Sequence, residues 1–140
     1  MTDSVLLGFD YGTKRIGVAV GQTLTGSARP LTIVRARDGK PDWEAISRLI
    51  SEWQPAALVI GLPVHMDGTE HERTTRAQRF GNQLAGRYNL PVHRVDERLT
   101  SYEAELDLRA QGKGGEALDA VAAQLILQSW LDAHVKESRP

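Results

Sequence analysis

Two apolar stretches near the start, Val5-Leu6-Leu7-Gly8-Phe9-Asp10 and Arg15-Ile16-Gly17-Val18-Ala19-Val20, are separated only by Tyr11-Gly12-Thr13-Lys14. A parallel crossover needs a dozen or more residues, so strands joined this tightly pair as an antiparallel hairpin. Arg29-Pro30-Leu31-Thr32-Ile33-Val34-Arg35 follows after another short connection. Its β-branched residues and polar alternation suit a third, more exposed strand. The chain therefore opens as a three-stranded antiparallel meander.

The hydrophobic period then changes. Trp43, Ile46, Leu49, Ile50 and Trp53 recur at intervals of three and four, one helical stripe, with Asp42 placed to cap it and Pro55 to stop it. Ala57-Leu58-Val59-Ile60 is a short, wholly apolar strand ended by Gly61-Leu62-Pro63. Ala77, Phe80, Leu84 and Tyr88 mark a second helix, and Val92-His93-Arg94-Val95 a fifth strand. Thr100-Ser101-Tyr102-Glu103 has the form of a capping box that opens a third helix. Gly112 to Gly115 separates it from a fourth, running from about Glu116 to Leu131. Strands that alternate with helices run parallel. The expectation is an α/β domain with a mixed five-stranded sheet: a β1-β2-β3 meander, then two parallel strands, flanked by helices. One domain over residues 1–140 fits the length, with 136–140 as a flexible tail.

Composition limits the chemistry. Cysteine is absent, which excludes disulfides and zinc–thiolate sites. His65, His71, His93 and His134 have no short zinc-binding spacing. Any metal would be held by oxygen, and that points to magnesium or manganese. The net charge of −1 does not advertise nucleic acid, so only local clusters of Arg and Lys could argue for it. No segment has the ~20 apolar residues of a membrane span, and no basic-then-apolar leader opens the chain. A cytoplasmic protein without membrane association is the expectation.

Three places offer carboxylates for chemistry. Asp10 closes an apolar strand, where it either caps the following turn or faces a ligand at the strand's carboxyl end. Asp119 is the one acid in Ala117-Leu118-Asp119-Ala120-Val121-Ala122-Ala123-Gln124-Leu125-Ile126-Leu127, a helix apolar nearly all round. An acid there costs several kcal/mol unless compensated, either by the helix N-terminus or by a metal ion. Asp96 and Glu97 end the fifth strand. Strand side chains alternate, so Arg94 and Asp96 share one face and Val95 and Glu97 the other, which leaves open which acid counts. The alternative there is a surface ion pair with Arg98.

Four runs carry a resemblance. They are Phe9-Asp10-Tyr11-Gly12-Thr13-Lys14-Arg15-Ile16-Gly17-Val18-Ala19; Gly61-Leu62-Pro63 with Met66-Asp67-Gly68-Thr69-Glu70; Asp96-Glu97-Arg98-Leu99-Thr100-Ser101; and Asp119-Ala120-Val121-Ala122-Ala123-Gln124-Leu125-Ile126-Leu127-Gln128. Together, in this order and over nearly the whole chain, they resemble the YqgF (RuvX) family. Those are bacterial RuvC-like proteins assigned as pre-16S rRNA nucleases and earlier as Holliday junction resolvases. The resemblance implies a ribonuclease H-like fold and metal-dependent phosphodiester hydrolysis with one or two Mg²⁺ or Mn²⁺ ions. It carries Asp10, Glu97 and Asp119 over as catalytic and metal-binding acids, choosing Glu97 over Asp96. The implied partner is nucleic acid, pre-16S rRNA ahead of DNA junctions, within a small-subunit precursor. A homodimer would be needed for junctions and not for RNA trimming.

Phosphate contacts need fixed cations. Lys14 and Arg15 leave the first turn beside Asp10, and Arg98 follows Glu97. Arg73 and Arg76 open the second helix, with Arg73 four residues before Ala77 on the inward stripe. Arg76, Arg79, Gln83 and Arg87 share its polar face, as either a solvated surface or an RNA track. Two departures from the family stand out. Gly112-Lys113-Gly114-Gly115-Glu116 keeps a single lysine where relatives often carry several basic residues, and His65 and His71 are unusual in their loop. Two rivals differ in class. Asp10-Tyr11-Gly12-Thr13 also resembles the phosphate-binding turn of sugar kinases and actin-like ATPases, but those enclose a nucleotide between two such domains. A non-catalytic nucleic-acid or ribosome-binding module is the other.

Overall fold

A computed structural model describes residues 4–63, 72–96 and 116–134. The elements in chain order are β1 (Val5–Asp10), β2 (Arg15–Gln22), β3 (Ser27–Arg37), β4 (Lys40–Pro41), α1 (Trp43–Trp53), β5 (Ala57–Leu62), α2 (Glu72–Tyr88), β6 (Val92–Asp96) and α3 (Glu116–His134). The expected helix from Thr100, the break at Gly112 to Gly115, His65, His71, Glu97, Arg98 and the 136–140 tail lie outside the described residues.

The strands form one sheet in the order β4-β3-β2-β1-β5-β6. β1 pairs antiparallel with β2, and β2 with β3, as the short connections require. β5 runs parallel to β1, and β6 parallel to β5, across the helical crossovers. The register slips between Val18 and Ala19, whose partners are Thr32 and Pro30, so Leu31 is the extra residue of a bulge. Proline, which donates no backbone hydrogen bond, is tolerated at such a break.

The sheet has six strands rather than the expected five. β4 is two residues long, and Lys40 and Pro41 pair back onto Arg37 and Ala36. Asp38 and Gly39, with φ of 52° and 79°, make the intervening turn. An Asp-Gly pair with both φ positive is the preferred chemistry for a two-residue hairpin.

Period-two alternation sorts the sheet's residues into two cores. Leu7, Phe9, Ile16, Val18, Leu58 and Ile60 pack against Ile46 of α1 and Phe80 and Leu84 of α2. Leu6, Ala19, Ala57, Val59 and Val95 pack against Ala123, Ile126, Leu127 and Leu131 of α3. Asp42 caps α1, its side chain accepting from the Ala45 N–H at 3.2 Å, and Gln54 ends it at φ 45°. α2 turns Thr74, Ala77, Phe80, Gly81 and Leu84 inward. The Thr74 hydroxyl donates to the Pro63 carbonyl, which ties the start of α2 to the end of β5. In α3 no residue from Leu118 to Leu131 is exposed, as its nearly unbroken apolar pattern predicts. No helix among the described residues is long and apolar enough to cross a membrane.

Candidate active site

Glycine decides where α3 sits. A Cβ on Gly17 would stand 1.9 Å from the Asp119 carbonyl oxygen, and one on Gly8 2.8 Å from the Leu127 Cβ. The helix backbone therefore rests directly on β2 at Gly17, an approach that any side chain there would block.

That contact brings two of the predicted acids to one side. Asp10 lies opposite Gly17 in the β1–β2 ladder. Residues directly opposite in an antiparallel pair face the same way, so Asp10 shares the α3 face with Gly17 and, along its own strand, with Leu6 and Gly8. Asp119 comes down onto that face from α3. Arg15, two residues before Gly17, shares it as well. Its Nε stands 2.9 Å from Asp119 Oδ2, with side-chain exposures of 38% and 26%. That oxygen is itself buried. The charge of Asp119 is thus met by a cation from β2 and not solely by the start of its own helix. At this partial exposure the pair adds modestly to stability, and its larger effect is to orient the carboxylate.

The turn carrying Asp10 into Arg15 is held from outside. The Tyr11 hydroxyl donates to the Gly39 carbonyl at 2.7 Å, the Gly39 N–H donates to Thr13, and the Ala36 N–H to Lys14. The Tyr11 ring lies 5.0 Å from that of Phe80. The β3–β4 hairpin and α2 therefore fix the geometry of the first turn.

Strand parity separates Asp96 from this group. Val95 belongs to the α3 core. Arg94 faces α2, where its Nη2 donates to Asn82 Oδ1 at 2.9 Å. Alternation puts Asp96 with Arg94, away from Asp10 and Asp119. Glu97, Arg98 and the residues around them lie outside the described set. Among the described residues no three His, Asp or Glu side chains are grouped to hold a metal ion. The donors present are carboxylate oxygens, which suit a hard divalent cation.

The expected cations divide. Lys14 is exposed on the first turn. Arg76 is half-exposed and pairs with Glu72 at 2.6 Å. Arg73 is exposed, whereas Thr74 takes the inward position, 1% exposed. The stripe through Ala77 thus continues three residues back rather than four, so the inward position expected for Arg73 is corrected.

Elsewhere on the α3 face, the His93 and Trp130 rings stack at 4.8 Å, and Trp130 and His134 at 4.3 Å. The pKa of His93 is lowered from the usual 6.5, chiefly by burial and secondly by the charge of His134.

Solved structures with this arrangement of elements are Holliday junction resolvases of ribonuclease H-like fold. RuvC of Thermus thermophilus in complex with a Holliday junction aligns with a TM-score of 0.56 at 18% identity, covering 93% of this chain and 94% of that one. The fowlpox virus resolvase aligns at 0.58 and 12% identity, covering 92% and 97%. The protein thus has a ribonuclease H-like fold. Residues 4–133 match the RuvX family model, described as "Holliday junction resolvase". Relatives named "Putative pre-16S rRNA nuclease" come from Paraburkholderia xenovorans, 58% identical over 93% of this chain and 89% of the relative, and from Pseudomonas putida, 53% identical over 93% and 96%. The chain belongs to the RuvX family.

Proposed function

We propose that the protein is a metal-dependent endonuclease that cuts phosphodiester bonds of structured nucleic acid, with the 5′ end of pre-16S ribosomal RNA as its substrate. The observation that carries this reading is the shared face of Asp10 and Asp119, joined by Arg15. The named relatives support ribosomal RNA as the substrate.

Asp10 and Asp119 are the carboxylates that would hold one or two Mg²⁺ or Mn²⁺ ions, with Glu97 as the third acid on the family resemblance. The parity of β6, with Val95 in the α3 core and Arg94 on the other side, counts against Asp96 as that acid. A divalent cation supplies charge neutralisation at the scissile phosphate and lowers the pKa of an attacking water. Arg15 keeps the Asp119 carboxylate oriented before substrate arrives. A guanidinium has five N–H donors, so Arg15 can pair with Asp119 and still donate to a phosphate oxygen. Lys14, Arg73, Arg76 and Arg98 are the further cations proposed to contact phosphates. The proposed setting is the cytoplasm, on a small-subunit precursor.

The second reading is resolution of four-way DNA, favoured by the description of the matching family. It requires a homodimer to cut two strands. A cleavage assay on 16S precursor RNA and on four-way DNA, with Mg²⁺ and with Mn²⁺, separates the two. Precursor cleavage that disappears in Asp10→Asn, with the fold retained, is the expected result. Cleavage that persists in Asp10→Asn removes the proposed site.

A further inference from the structure

On the opposite side of the sheet from α3, a groove of about 970 Å³ runs between α2 and the β1–β2 and β3–β4 turns. Its charged lining is Lys14, Lys40, Arg76, Arg79 and Arg87 against the single acid Asp38. The whole chain carries 17 Lys and Arg against 18 Asp and Glu, so even with Arg76 paired to Glu72, four further cations against one acid along a single groove is local segregation. These cations come from three separate elements. A solvated helix surface accounts for those of α2 and not for Lys14 and Lys40 on the facing wall.

The groove also contains a planar cation fixed in place. The Arg87 guanidinium lies over the Trp43 ring, 4.0 Å from its centroid. Trp43 in turn stacks on Phe80 at 5.8 Å, and Phe80 is 1% exposed. Arg87 is thereby seated on a column rooted in the core. A guanidinium seated on an aromatic ring keeps N–H groups for phosphate oxygens.

We propose that this groove binds the phosphodiester backbone of a single nucleic-acid strand. It lies at the upper end of the ~300–1,000 Å³ range of ligand sites, enough for a few nucleotides of one strand. Lys14 joins it to the acids: that residue lines the groove and lies in the turn between Asp10 and Arg15. A strand seated in the groove leaves it over this turn and reaches the α3 face. The binding site thus deepens the nuclease reading and rests on it for its purpose, but binding itself needs neither metal nor cleavage.

The test uses the full chain in EDTA, which silences metal-dependent cutting, and a short fluorescein-labelled oligouridylate read by anisotropy across a salt series. Wild-type protein binds, and Arg79→Glu and Lys40→Glu, on opposite walls, each weaken binding by roughly tenfold or more and flatten the salt dependence. Arg48→Glu, on the exposed side of α1, leaves affinity unchanged. An oligothymidylate of equal length tells RNA from DNA as the source of the backbone. Thermal melts confirm that each variant is folded. No binding by the wild type, wild-type affinity in both groove variants, or displacement by polyglutamate as effective as by RNA would each overturn the proposal. Failure of the nuclease reading looks different: cleavage surviving Asp10→Asn while groove binding stays intact.

Discussion

Toward α1 and α2 the sheet presents Leu7, Phe9, Ile16, Val18 and Ile60, whereas toward α3 it presents Leu6, Gly8, Gly17, Ala19 and Gly21. The first face is filled by bulk. Phe80 of α2 meets Phe9 edge-on at 5.7 Å and Tyr11 and Trp43 at 5.0 and 5.8 Å. The second is thinned so that a helix backbone can touch a strand. The same alternation that makes one side a deep aromatic core makes the other a close seat, with Asp10 and Asp119 brought together at its end. Aromatic bulk and close helix–strand approach are thereby given to opposite sides of one sheet.

Substitutions on the two sides should therefore do different things. Phe80→Ala removes the ring that Phe9, Tyr11 and Trp43 share and should cost about 3–5 kcal/mol in denaturant unfolding. Divalent-ion binding should survive in whatever fraction remains folded, because the hydrogen bonds from the β3–β4 hairpin still hold the first turn. Gly17→Ala should cost less, about 1–3 kcal/mol, because a single methyl is inserted. That methyl meets backbone at 1.9 Å, so α3 must lift and carry Asp119 with it. Cleavage and Mn²⁺ binding should then fall far more than stability does. If Phe80→Ala abolishes ion binding in the folded fraction while Gly17→Ala spares it, the division between the faces is wrong.

The smallest effect concerns pH. With its pKa lowered in the folded state, His93 is protonated more readily in the unfolded chain. Its contribution to stability is complete above the unfolded value near 6.5 and is lost as pH falls through the lower folded value. Thermal midpoints measured below pH 6.5 should decline less steeply in His93→Gln than in the wild type.

The sequence disclosed what depends on local period and chain length. Hairpin geometry follows from a four-residue connection, and the Asp42 cap and the α2 core positions follow from spacing. Spacing puts Arg73 inward and the structure puts Thr74 there, because residues three and four apart both neighbour Ala77 on a helix. β4 is not legible in the sequence although Asp38-Gly39 is a strong hairpin signal, since a two-residue strand has no alternation to read. Gly17, within an apolar strand, carried a signal for close backbone approach, but not which backbone approaches. The Arg15–Asp119 contact and the five-cation groove join residues far apart in the chain, and no periodic pattern encodes that. The family motifs singled out Asp10 and Asp119, and only tertiary packing brings them to the same face.

Manganese binding tests the central claim most directly. Calorimetric titration of the full chain with Mn²⁺ should detect one or two ions, with affinity falling at least roughly tenfold in both Asp10→Asn and Asp119→Asn, as removal of a charged oxygen donor requires. Equal Mn²⁺ affinity in the wild type and in both folded variants would contradict a shared carboxylate site on the α3 face.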